Sequence, residues 1–315
     1  MKLVTLTALL VALAVPGVLA IGGVLAIGGV LTLAGCGSSA ENGPAVIAEA
    51  TSDEGEGAVR HQVAPVDESP EDGGQKKFET LSLPASPPSP ARVVKLPILM
   101  YHHTGEPPAG ADNLRRGLTV STANFEAQIG YLKQAGYQPV TQAQLFKALF
   151  NGAPLPAQPV MLTFDDGYLD NHEVAASILE KYGFPATFSI ITEKVGTPEY
   201  MTWEQIADLD RRGMDVGSHT ATHQDLTLLS AADLRQELSG SAETLKTRLG
   251  HPVYWLCYPT GKFDADVLKY AREAGYLLAT STRPGEQQSS DDPLGLLRYR
   301  MRPDTGLEGF KELVR

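Results

Sequence analysis

Across residues 93–315, short apolar runs alternate with amphipathic stretches of helical period, and this alternation most limits what the chain can fold into. The candidate strands are 97–102, 138–140, 160–165, 186–191, 214–218, 253–258, 277–281 and 296–301. Helix starts are marked between them by residues whose side chains can cap a first turn: Ser121, Thr141 with Gln144, Thr202 with Gln205, and Ser230 with Asp233. Eight strands with interleaved helices in roughly 220 residues predict an α/β fold, a distorted or incomplete (β/α) barrel. A doubly wound open sheet is the competing architecture.

The unusual polar residues fall at strand C-termini. Tyr101-His102-His103 ends the first run, Asp165-Asp166-Gly167 the third, His219 the fifth and Tyr258-Pro259-Thr260-Gly261 the sixth. In a β/α barrel that face carries the active site, so four separate segments converge on one mouth. Adjacent carboxylates point to opposite sides of an extended strand, and both reach one site only if the chain turns there, as Gly167 allows. The plain alternative is that one Asp caps a helix.

Ser218-His219-Thr220-Ala221-Thr222-His223 contains His-x-x-x-His, which on one helical turn places both imidazoles on the same side. With an Asp from another strand end, these make a three-ligand site with an open position for water, as hydrolytic zinc centres require. The same ligands serve non-haem iron oxygenases, whose all-β scaffolds this alternation does not resemble. A glycosidase using Asp165 and Asp166 as its acid and nucleophile fails on geometry, since adjacent residues cannot easily flank a glycosidic bond.

Thr163-Phe164-Asp165-Asp166-Gly167 together with Ser218-His219-Thr220-x-x-His223 resembles the NodB-like polysaccharide deacetylases, carbohydrate esterase family 4, over residues 93–315. The resemblance implies that Asp165 is a general base, that Asp166, His219 and His223 hold a divalent metal, and that a backbone N–H near Tyr258 helps hold the oxyanion. Zinc is the first choice of metal, with cobalt, nickel or iron as alternatives. The Arg common a few residues before the Pro of the Tyr258-Pro259-Thr260-Gly261 block is absent, as are Asp-x-x-Asp-Trp and a C-terminal Leu-x-His. Pro97-Ile98-Leu99-Met100-Tyr101-His102-His103 is instead similar to the first block of a circularly permuted branch related to biofilm-polymer deacetylases, in which an early His is the general acid. His102 is the aligned candidate, ahead of its neighbour His103. Arg298, in Leu297-Arg298-Tyr299-Arg300, is the candidate orienter of the catalytic Asp.

The implied reaction removes N-acetyl groups from N-acetylglucosamine units of a cell-wall or exopolysaccharide polymer, so the expected partner is an acetylated polysaccharide. An O-acetyl esterase on the same fold and a catalytically degenerate glycan-binding protein are the alternatives. A net charge of −11 and a pI near 5.1 argue against a nucleic-acid partner.

The first 35 residues read as a lipoprotein signal: Lys2, a long apolar stretch, and Leu33-Ala34-Gly35 before the lipidation acceptor Cys36. A hexapeptide repeated in tandem at 18–23 and 24–29 makes the stretch long enough to span a bilayer, so an uncleaved anchor is the alternative. Either way the catalytic part is expected outside the cytoplasm, attached to the membrane. Residues 36–92 read as a disordered tether rich in Pro, Ser and acids, with ten acidic against four basic residues and almost no aromatic ones. With Cys36 lipidated, Cys257 has no disulfide partner, and its apolar neighbours predict a buried small hydrophobe.

Overall fold

The structure, a computed structural model, describes residues 78–315. The expected signal peptide, Cys36 and the expected tether as far as residue 77 lie outside the described residues. Eight strands make one parallel sheet: β1 Ile98–Tyr101, β2 Gln138–Pro139, β3 Pro159–Phe164, β4 Thr187–Ile190, β5 Asp215–Ser218, β6 Trp255–Cys257, β7 Leu278–Thr280 and β8 Tyr299–Arg300. Each coincides with an expected run, differing only at its ends. The order across the sheet is β7-β6-β5-β4-β3-β1-β8, with β2 also paired to β3.

One irregular segment draws the two ends of this sheet together. The Leu296 N–H donates to Ala279 O at 2.9 Å, while the Met301 N–H donates to Met100 O at 2.9 Å. The segment is therefore bonded to β7 where it begins and to β1 where it ends, and the sheet curls into a distorted barrel rather than an open doubly wound layer.

Strand periodicity then sorts the side chains. Leu162 and Phe164 of β3, Phe188 of β4 and Val216 of β5 face outward into a cluster with the covering helices. Met161, Trp255 and Leu278 belong to the cluster that fills the base of the barrel. A Cβ on Gly217 of β5 would lie 2.6 Å from Trp255 Cδ1, so the missing side chain at 217 makes room for the indole.

The helices are α1 Asn113–Gly117, α2 Thr122–Gln134, α3 Gln142–Asn151, α4 Ala176–Tyr182, α5 Trp203–Arg211, α6 Ala231–Arg235, α7 Ser241–Leu249, α8 Ala265–Glu273 and α9 Leu307–Val314. The four expected starts are present. Ser121 and Ser230 accept from the backbone three residues on, and Thr141 with Gln144 and Thr202 with Gln205 complete capping boxes. No helix among the described residues is long and apolar enough to cross a membrane.

Residues 78–92, assigned to the tether on composition, contain no helix or strand, yet they lie against the domain. Phe78 stacks on His251 at 4.1 Å and on Tyr254 at 5.8 Å, Leu81 packs on the cluster at the base of the barrel, and Arg92 Nη1 donates to Phe150 O at 2.5 Å. These contacts move the edge of the packed domain back from 93 to at least 78. Composition missed it because one aromatic, one leucine and one arginine suffice to hold the segment.

Candidate active site

At the C-terminal end of β3 the alternation continues past the strand. Thr163 and Asp165 face inward, and Arg298, just before β8, meets them there. Arg298 Nη1 donates to Asp165 Oδ1 at 2.7 Å and Nη2 to Oδ2 at 2.8 Å. Its remaining N–H groups reach Thr163 Oγ1 at 3.1 Å, Cys257 Sγ at 3.2 Å and Ser281 O at 3.0 Å. The guanidinium is thus buried with every donor engaged, and it fixes the carboxylate in a planar, bidentate pair. Burial raises the Asp165 carboxyl, but the charge and hydrogen bonds of Arg298 outweigh it and bring its pKa down to about 2.

Asp166 leaves the strand in the left-handed region, at φ 75°, and Gly167 follows at φ 82°. This turn brings both carboxylates to one mouth, and neither caps a helix. At 167 a side chain would be strained and would put its Cβ 3.2 Å from Ile190 Cδ1. Asp166 Oδ1 lies 3.3 Å from His219 Nε2 and 3.5 Å from His223 Nε2. Burial raises the Asp166 carboxyl, and the surrounding imidazoles override this and hold it well below the usual carboxylate range.

The two histidines do not share a helical turn, contrary to the expectation from their spacing. β5 ends at Ser218, and 219–223 form a loop in which Thr220 and His223 adopt left-handed φ values of 68° and 69°. The loop is pinned from two sides. Thr220 Oγ1 accepts from the His223 N–H at 3.1 Å, and the buried Glu237 carboxylate accepts from the N–H groups of Ala221 and Thr222 at 3.0 and 2.9 Å and from the Thr222 hydroxyl at 2.5 Å. His219 Nδ1 lies 2.7 Å from Cys257 O, an acceptor only, so Nδ1 carries the hydrogen and Nε2 presents its lone pair toward Asp166.

One carboxylate oxygen and two imidazole nitrogens thus come from Asp166, His219 and His223, all within 4.8 Å of one another, and this donor set fits a divalent metal ion. Asp165, His219 and Cys257 also cluster this closely, but Arg298 Nη2 already donates to both Asp165 and Cys257 Sγ, so a cation there would meet the guanidinium charge.

His102, just after β1, lines the same cleft with its Nε2 4.0 Å from Asp165 Oδ2. Burial lowers its pKa to about 4, against the raising effect of Asp165 and Asp166. Its Nδ1 is buried with no hydrogen-bond partner among the described residues. His103 points elsewhere: Nδ1 is 2.8 Å from Asp170, Nε2 is 2.7 Å from Arg115 Nη1, and Tyr168 stacks on the ring. Tyr258 also lines the cleft, but its N–H donates to Thr280 O at 3.2 Å in the sheet and is not free for an oxyanion. Pro259 has no N–H, so the first available backbone donor of this loop is that of Thr260, which lines the cleft.

The cleft measures about 410 Å³. Sequence reasoning missed Glu237 and the Cys257 carbonyl, and it left open which N–H near Tyr258 faces the cleft. Any residue supplies a carbonyl, and no spacing rule links Glu237 to the loop it holds.

The polysaccharide deacetylase family profile matches residues 152–279. The chain is 31% identical over 235 residues to the polysaccharide deacetylase-family protein YxkH of Bacillus subtilis strain 168, covering 75% of this chain and 80% of that protein. It is 34% identical over 122 residues to the poly-β-1,6-N-acetyl-D-glucosamine N-deacetylase of Escherichia coli K12, a match covering 34% of this chain and 18% of that much longer protein. Among solved structures, the Streptococcus pyogenes deacetylase PplD in complex with acetate superposes with a TM-score of 0.66 at 29% identity, over 71% of this chain and all of that one.

Proposed function

The chain belongs to the polysaccharide deacetylase family, and from that premise we propose that it removes N-acetyl groups from N-acetylglucosamine units of a cell-wall or extracellular glycan. The observation that carries this reading is the juxtaposition of the Asp166–His219–His223 donor set with the Arg298-clamped Asp165 in one cleft. The Escherichia coli relative acts, by its name, on an N-acetylglucosamine polymer, and this supports the choice of substrate.

An amide carbonyl is a poor electrophile. Asp166, His219 and His223 would hold a divalent ion, zinc by the match of ligand types, with cobalt, nickel or iron as alternatives, and it would supply Lewis acidity to the carbonyl and to the attacking water. Asp165 accepts the proton of the attacking water, with Arg298 fixing the direction in which its lone pairs point. The Thr260 N–H, two residues past Tyr258, takes the oxyanion role expected of a backbone N–H near that tyrosine. His102 donates a proton to the departing amine. With a pKa of about 4 it is neutral at rest near neutral pH, so this proton arrives during the reaction, and Asp165 Oδ2 at 4.0 Å is the adjacent supplier. Acetate and a glucosamine amine result.

The test follows acetate and newly formed amine together on N-acetylglucosamine oligomers, with O-acetylated glycans run in parallel. Equal acetate and amine are expected. Acetate from the O-acetylated substrates alone would assign the esterase reaction instead, and glycan binding without turnover would make the protein a binding module. We further propose that Cys36 carries the lipid that keeps the enzyme at the outer face of the membrane. Cys36→Ala should abolish acyl labelling, and equal labelling of variant and wild type would refute the anchor.

A further inference from the structure

Strand alternation places Arg300 on the same inward side as Arg298, one step nearer the mouth of the barrel, where it lines the catalytic cleft beside His102. The two arginines are treated differently by the fold. Arg298 has an acceptor for every N–H, whereas Arg300 makes no side-chain hydrogen bond or ion pair within the described residues. Of the described arginines that are not exposed, Arg115 pairs with Asp170, Arg212 with Asp208 and Arg298 with Asp165. Arg300 is the exception: burial and the nearby Arg298 and Arg302 disfavour its charge, and the attraction of Asp165 and Asp166 from beyond ion-pair distance offsets this only in part. Lys194 lines the same cleft and likewise has no ion-pair partner among the described residues. The acidic residues lining the cleft are Asp165 and Asp166, the first already neutralised by Arg298 and the second facing two imidazoles. A chain with a net charge of −11 thus keeps in its catalytic cleft two cations without an ion-pair partner among the described residues.

We propose that Arg300 and Lys194 form an anion subsite, so that the enzyme prefers acetylated glycans carrying a carboxylate on a sugar close to the acetamido group being cleaved. A planar carboxylate matches the fork of Arg300, and the exposed Lys194 adds a longer-range attraction. This selectivity rests on the deacetylase reading of the site and deepens it by naming the charge of the substrate.

The test compares two oligosaccharides of equal length with the full-length protein: a neutral N-acetylglucosamine oligomer, and one in which alternate units carry a lactyl carboxylate. The kcat/KM for the acidic glycan should exceed that for the neutral one by about tenfold, the gain lying mainly in KM and shrinking as salt rises. In Arg300→Gln the ratio should fall toward one, while Arg300→Lys should retain only the part owed to charge and fall between the two. Because each ratio is taken within a single protein preparation, partial misfolding of a variant cancels. Acetate from both glycans at equal rates, or an Arg300→Gln variant that loses the same factor on both, would overturn the subsite while leaving the deacetylase intact. No acetate from either would overturn the deacetylase reading and the subsite with it.

Discussion

Asp165 and Asp166 are neighbours in the chain with opposite surroundings, one locked to a guanidinium and the other turned toward two imidazoles. Asp165→Asn should therefore keep its metal content while losing about 10²- to 10⁴-fold in rate, and Asp166→Asn should lose metal. Metal analysis beside initial rates separates them, and a metal-free Asp165→Asn protein would reverse the assignment. The Asp165–Arg298 pair also bears on stability. Since the folded pKa of Asp165 is depressed to about 2, its contribution is fully present above the ordinary Asp value near 3.9 and is lost as pH falls through about 2. Arg298→Met leaves the carboxylate buried without its partner and should cost about 3–5 kcal/mol at pH 7, with a smaller deficit at pH 3. Denaturant melts at the two pH values measure this, and an equal deficit at both would show that Arg298 acts through packing. Both aspartates were legible from their place at a strand end, and Arg298 through the family resemblance. The bidentate contact joins residues 133 apart in sequence and appears only when the barrel closes.

At the scale of elements, the helices that announce themselves locally were legible, because capping boxes at Thr141 and Thr202 involve residues three apart. The loop carrying His219 and His223 was misread for the complementary reason. Their spacing suits a helix, but left-handed Thr220 and the reach of Glu237 from beyond α6 shape a different turn with the same convergence. Glu237→Gln removes the charge that holds two backbone N–H groups of this loop. It should weaken metal affinity by about 10- to 100-fold, as loss of an outer supporting group does, with circular dichroism unchanged. Titration of the apoprotein measures it, and wild-type affinity in the variant would show that the loop holds its shape without the carboxylate.

For the molecule as a whole, the alternation of runs already implied a barrel with its chemistry at one end. It did not show how the barrel closes, because 296–301 makes strand-like bonds at its two ends to different partners. Nor did composition reveal that 78–92 lies along the domain. Phe78→Ala removes the stacking on His251 and Tyr254 and should lower stability by about 1 kcal/mol, a fall of a few degrees in Tm. An unchanged melt would mean that the segment rests on the domain without stabilising it. The deacetylase reading of this cleft rests on metal held by Asp166, His219 and His223, and it is tested by adding zinc back to the fully chelated protein while following acetate release from an N-acetylglucosamine oligomer. No acetate is expected before addition, and the rate should rise to a plateau at one equivalent of metal. Undiminished acetate release from protein shown to be metal-free would contradict that dependence on metal.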